Sequence, residues 1–185
     1  MKRLLIAMLL LATPAVAFAF DSKRPAPRVG VLRGHHALQL DVAETLRKEL
    51  RSRGVDAFDA VRTFDEAVQD GAAVADFYVE IVGGDVSTGE YGGIGVGTRH
   101  AGVSLGVLVS RVAAELRIYD GETMELLESR DLSKRATSVA PTSVGFGGGS
   151  LLVYIALPYI ERAQVRRVVR ATGRDAAMHV LDALQ

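Results

Sequence analysis

The residues of this chain whose types and spacing could do chemistry are a serine between glycines, two tandem histidines, a glycine-rich run and a row of arginines. Gly102-Val103-Ser104-Leu105-Gly106 matches the nucleophile-elbow pattern, in which a sharp strand-to-helix turn exposes a serine hydroxyl, and His179 lies downstream as a base. The pattern is short, however, and here the serine falls inside an alternating strand pattern with nothing to place an acid or an oxyanion hole. Gly93-Ile94-Gly95-Val96-Gly97 has the composition of a phosphate-cradling loop, yet it opens no helix whose amides would face a phosphate. Strand glycines that permit twist and close packing are the simpler reading. His35-His36 follows a first strand, but adjacent positions point apart and no third ligand stands at a diagnostic spacing, so a loop or helix start is expected rather than a metal site. His100 and His179 are isolated and read as surface residues. Arg162, Arg166, Arg167, Arg170 and Arg174 are either a patch for anionic lipid or an acidic partner, or an ordinary solvated helix face. No catalytic group, cofactor or metal ion is expected.

The first residues address the protein. Lys2-Arg3, the apolar run Leu4–Leu11 and the small residues Ala15-Val16-Ala17 make a secretory signal, too short to span a membrane as a helix. Residues 1–19 are expected to be removed, and residues 20–27 to form a short lead. With no cysteine in the chain, disulfides, thiolate metal sites and a lipidated cysteine are all unavailable, and stability must come from an apolar core. The whole chain carries 22 basic and 22 acidic side chains; without Lys2 and Arg3 the basic count is 20. Such a balance is not that of a nucleic-acid-binding protein, and the absence of tryptophan argues against a base- or sugar-stacking platform.

The elements that would position these residues follow from periodicity. Arg28–Leu32 reads as a strand and Ala37–Arg53 as a helix with Leu38, Val42, Leu46 and Leu50 on one stripe, stopped by Gly54. Val55–Ala60 is a second strand, Thr63 and Glu66 form a capping box opening a second helix that ends near Gly71, and Asp76–Val82 alternates as a third strand. Glu161–Leu184 is a closing helix, kinked or split at Gly173. The expected fold is α/β (α+β): a mixed sheet of about five strands packed by three helices, residues 28–185 as one domain with two Gly-rich hairpin excursions near 83–111 and 133–160.

In the first excursion Val103, Leu105, Val107 and Val109 are apolar on odd positions, whereas Val112, Ala114, Leu116 and Ile118 are apolar on even ones. A strand has a period of two, so the apolar face changes sides near Ser110-Arg111. Either a bulge sits there, or one long strand leaves the core for a second environment, such as a subunit interface or lipid. Leu151–Leu157 raises the same question as a run long enough for one buried strand or a membrane contact.

The order of elements, with the hairpin Val112–Leu127 and its Leu116-Arg117-Ile118-Tyr119-Asp120 core, resembles the curli-assembly secretion channel (CsgG-like) family. Wider relatives are the lipoprotein activators of penicillin-binding proteins and the amino-terminal domain of TolB. In that family a Thr-Gly turn follows the aspartate; Thr123 fits and Met124 replaces the glycine. The resemblance implies membrane hairpins at the two excursions and a homo-oligomer, but the lipidated cysteine of the channels is missing, and the tight Gly34–Leu38 connection leaves no room for their constriction loop. It therefore supports the domain more than a pore.

These readings lead to a non-enzymatic cell-envelope protein, periplasmic or in contact with the outer membrane, that docks on other envelope proteins in assembly, transport or cell-wall maintenance. Ile94, Val96, Val103, Leu105, Val107, Val109, Leu152 and Tyr154 are expected to face a partner or a membrane. One alternative is an oligomeric outer-membrane conduit of the curli-secretion type. A transmembrane strand needs roughly 9–11 residues of alternation, and Val103–Ser110 is a little shorter while its partner arm carries Glu90. A serine hydrolase acting through Ser104 is a second alternative.

Overall fold

The computed structural model describes residues 25–60, 63–70, 75–97, 101–146, 149–151 and 157–185. The leader and the start of the lead, and also Leu152 and Tyr154, lie outside them. In chain order the elements are β1 (Arg28–Val31), α1 (Ala37–Ser52), β2 (Asp56–Asp59), α2 (Phe64–Asp70), β3 (Phe77–Gly97), β4 (Ala101–Asp120), β5 (Leu126–Phe146), β6 (Gly149–Leu151) and α3 (Leu157–Ala183). The strands form one mixed sheet in the order β2-β1-β3-β4-β5-β6, the sixth being only three residues long. β1 runs parallel to β2 and β3, while β3 to β6 form an antiparallel meander. This is the expected mixed α+β sheet with three helices among the described residues.

Apolar periodicity places the core. Val42, Leu46 and Leu50 of α1 and Val168, Val169, Ala176, Ala177, Val180 and Leu181 of α3 are buried against Val29 and Val31 of β1, Val79 and Ile81 of β3, Val112, Leu116 and Ile118 of β4, and Leu132 of β5. α2 covers the other face of the sheet over a smaller cluster, in which Leu32, Ala67, Tyr78 and Tyr119 are buried and Phe58 and Phe64 pack against them. The capping box of α2 is formed: the Thr63 amide donates to the Glu66 carboxylate at 2.8 Å and the Glu66 amide to the Thr63 hydroxyl at 3.4 Å.

Three expectations need correction. The closing helix is not split at Gly173 but runs unbroken. Gly173 is where α3 crosses α1: a Cβ there would lie 2.6 Å from the Cβ of Thr45 and 2.9 Å from the Val42 carbonyl oxygen, so the glycine permits a close helix contact. The third strand does not end at Val82 but runs on to Gly97. And β4 carries no bulge at Ser110-Arg111: its pairing with β3 and β5 is continuous there, and Gly106, Leu108, Ser110, Val112, Leu116 and Ile118, all even positions, are buried alike. The buried face never changes sides. Small residues, Gly106 and Ser110, take buried even positions, and the odd-position valines occupy the other side.

Candidate functional site

The long halves of β3, β4 and β5 make a three-stranded arm. Its angle is set where β3 leaves the domain: Gly83 and Gly84, at φ 68° and 126°, take the bulge between Val82 and Asp85. Gln39 on α1 holds that point, donating from Nε2 to the Gly83 carbonyl at 2.6 Å while its Oε1 accepts from the amides of His35 (2.7 Å) and His36 (3.0 Å). His35-His36 thus lie at the start of α1, and no cluster of three potential metal ligands occurs among the described residues.

On one face of the arm α3 packs against β4 and β5, while β3 on that side stays exposed, as at Val86. Gln164, buried, donates from Nε2 to the carbonyls of Leu108 (3.0 Å) and Ala136 (2.8 Å), clipping the helix to two strands. On this side Thr88 and Ser110 share a hydrogen bond of 3.1 Å, and the residues further out are small: Gly95 opposite Ser104, and Gly106 between Gly93 and the fully buried Ala140. Ser104 sits within continuous β4, not on a strand-to-helix turn, so the nucleophile elbow is not built. The Gly93–Gly97 run is likewise strand, with no helix after it to receive a phosphate.

The opposite face is apolar and open. Directly paired residues of an antiparallel sheet lie on the same side, and the register aligns Val96 with Val103, Ile94 with Leu105 and Pro141, Tyr91 with Val107 and Val139, and Val109 with Gly89 and Thr137. Ile94 is 73% exposed, Val96 74%, Tyr91 and Val139 64% each, and Leu105 45%. A bulge between Tyr91 and Gly93, with Gly92 at φ 62°, makes this possible: a one-residue slip moves side chains to the other face, so Ile94 and Val96 join Tyr91 despite the odd spacing. Of the residues singled out from the sequence, Ile94, Val96, Val103, Leu105, Val107 and Val109 are brought together here. Tyr91, Val139 and Pro141 belong to the same face, which only the cross-strand register shows.

Toward the domain, the next rung is Ser87, Arg111 and Arg135, the two guanidinium side chains on directly opposed positions. Arg111 donates from Nε to the Ser133 hydroxyl at 3.2 Å, and Arg135 makes no hydrogen bond or ion pair with any described residue. Beyond them the face becomes polar and paired. Arg117 donates to Glu115 at 2.8 and 3.0 Å, which together with the Ser129 hydroxyl holds the Glu115 carboxyl below its ordinary range. Tyr119, desolvated under α2 and donating to Glu80 at 3.0 Å, has its phenol pushed up to about 12. Along one face the arm thus passes from buried through paired charge and unpaired cation to apolar. The apolar stretch contains no titratable pair and can act only by the surface it buries.

No family model matches the chain, and no curated protein matches it in sequence. Solved structures do match in fold. A minor lipoprotein from Acinetobacter baumannii is 12% identical, with 83% of this chain aligned to 91% of that one at a TM-score of 0.51. An uncharacterised lipoprotein B from Nitrosomonas europaea (17% identity, 85% of this chain and 81% of that, TM-score 0.42) and a rare lipoprotein B from Shewanella oneidensis (11%, 85% and 92%, 0.40) also match. The sheet and helices of this chain therefore form a fold already seen in a bacterial lipoprotein. That likeness is one of fold and is not specific to the curli channels.

Proposed function

We propose that this is an exported, non-enzymatic envelope protein that attaches to another component of the envelope through the open face of its arm, leaving the helix-backed domain free to meet other envelope proteins in assembly, transport or cell-wall maintenance. The observation that carries this reading is the difference between the two faces of the arm: one takes α3 on β4 and β5 and carries glycine and serine further out, while Tyr91, Ile94, Val96, Val103, Leu105 and Val139 lie together and exposed on the other. Soluble monomers rarely leave contiguous apolar patches of more than a few hundred Å² uncovered, and three strands by about 20 Å reaches that order. The leader-like residues 1–19 support export, and the fold is shared with a protein named a lipoprotein, although this chain reaches the envelope without a cysteine.

Leu105→Asp and Ile94→Asp place a charge on this face without entering the core. Each variant is expected to keep its circular dichroism and thermal transition while moving from the envelope fraction to the soluble one. If both stay with the envelope, or if both unfold, the face is not an attachment surface. An oligomeric conduit is a second reading, favoured by the edges of the arm: among the described residues β1 accompanies β3 only as far as Val79, and β6 pairs with β5 only at Val144–Phe146. Val103–Val109 spans roughly 20 Å along the strand, short of the roughly 9–11 residues a tilted crossing requires, which places attachment ahead of the conduit.

A further inference from the structure

We infer that the surface met by the arm is an anionic lipid bilayer, with the apolar face lying flat on one leaflet and Arg111 and Arg135 seated on lipid phosphates. The inference rests on the attachment reading above and names what is attached to. Two independent observations carry it. First, the apolar residues are spread along the arm as a face, not gathered at its end, so the whole stretch from Val109 to Val96 and Val103 can lie in one plane. Side chains standing off one sheet face reach the depth of roughly 5–10 Å at which interfacial segments bury their apolar side. The length of the band, too small for a crossing, suits this arrangement.

Second, Arg111 and Arg135 are directly opposed across β4 and β5, and like charges at such positions repel. They stand on the same face as the band, at its inner end, with Ser87 alongside and the ring of Tyr91 on the adjoining rung. Neither forms an ion pair with a described residue: Arg135 has no polar partner among them, and Arg111 has only the Ser133 hydroxyl. An anion with several oxygens between the two guanidinium groups removes the repulsion, and guanidinium forks match phosphate oxygens well. An apolar band that ends in paired cations is the complement of acyl chains that end in phosphates. Acidic side chains leave the contact clear: Asp85 lies one rung further toward the domain, and Glu90 pairs with Leu108 on the α3 side. The arginines of α3 point to water: Arg166, Arg167, Arg170 and Arg174 are exposed on the helix that covers the opposite face.

The test is flotation of the purified mature chain with vesicles of phosphatidylglycerol and phosphatidylethanolamine, compared with vesicles of phosphatidylcholine alone. The wild type is expected to float with the anionic vesicles and remain behind with the zwitterionic ones. Arg111→Gln with Arg135→Gln should weaken anionic binding about thirtyfold, as two cations near an anionic surface imply, and Leu105→Asp should abolish it. Arg166→Gln with Arg170→Gln should bind as wild type. The inference is overturned if no vesicle binds, if phosphatidylcholine binds equally, or if the α3 pair and not the strand pair carries binding. Should vesicles fail while Leu105→Asp still releases the protein from the envelope fraction, the attachment reading stands with a protein as its partner and the lipid inference falls. Should that variant have no effect in either assay, both fall.

Discussion

Replacing Gly173 by alanine sets two effects of known size against each other. Glycine in a helix interior is worse than alanine by ~1 kcal/mol, so on propensity alone the substitution stabilises α3. The added Cβ, however, would stand 2.6 Å from the Cβ of Thr45, 2.9 Å from its Cγ2 and 2.9 Å from the carbonyl oxygen of Val42. Carbon contacts settle at ~3.5–4.0 Å, so the helices must part by about 1 Å, and the Val42 oxygen is backbone that cannot rotate away. Overpacking of this kind costs ~1–3 kcal/mol, and a rigid obstacle puts it in the upper half of that range. The net expectation is a loss of about 1–2 kcal/mol, or roughly 3–8 °C in Tm for a domain of this size. Urea denaturation followed by circular dichroism measures it. In a Thr45→Gly background, where two of the three contacts are gone, the same substitution should cost measurably less. A midpoint that rises by the propensity gain would refute the close-crossing argument and return Gly173 to the role of a flexible joint.

Gln164→Leu removes the donor to the carbonyls of Leu108 and Ala136, and at ~1–3 kcal/mol for a buried polar group left unpaired the arm should loosen. The readout is hydrogen exchange, with protection lost over residues 104–112 and 134–140 and retained at Val29 and Val79; uniform loss would mean that the clip serves the whole domain. Alkaline stability reports on Tyr119. Its phenol is raised from an ordinary 10.0 to about 12 by burial and by its bond to Glu80, so the unfolded chain releases this proton first. Stability is therefore expected to be full below pH 10 and to fall between 10 and about 12, with the fall flattened in Tyr119→Phe. An unchanged slope in that variant would assign the decline to other groups.

How far the sequence reveals this molecule differs from part to part. Arg28–Asp70 is readable almost residue by residue, because each element there is short and amphipathic and ends on a local signal, such as Gly54 at φ 87° or the Thr63–Glu66 box. Met124 was legible as the one departure in the β4–β5 turn, and it occupies the left-handed backbone, φ 57°, that suits a glycine. The arm is different. Its apolar residues could be picked out by type, but not the side they share, since that depends on a bulge at Gly92 and on cross-strand register, as of Tyr91 with Val107 and Val107 with Val139. The reversal of apolar phase at Ser110-Arg111 was real in composition and misleading in geometry: a period-two pattern says which positions are alike, not which neighbour covers them. Here α3, distant in the chain, packs on β4 and β5 of the side bearing glycine, serine and alanine and leaves the valines on the other. Gly173 misled for the same reason, its purpose being the approach of Thr45 rather than anything in its own helix.

The antiparallel meander also favours one order of assembly over others. β3 meets β4, and β4 meets β5, through connections of only a few residues, so the two hairpins can zip up from opposite ends of β4 at little loop-closure cost. The parallel pairing of β1 with β3 must bridge more than forty positions, as in Val31 with Val79, and α3 follows all three strands of the arm in the chain. The arm's hairpins are therefore expected to form ahead of the β1–β3 pairing, with the Gln164 clip added once α3 packs on them.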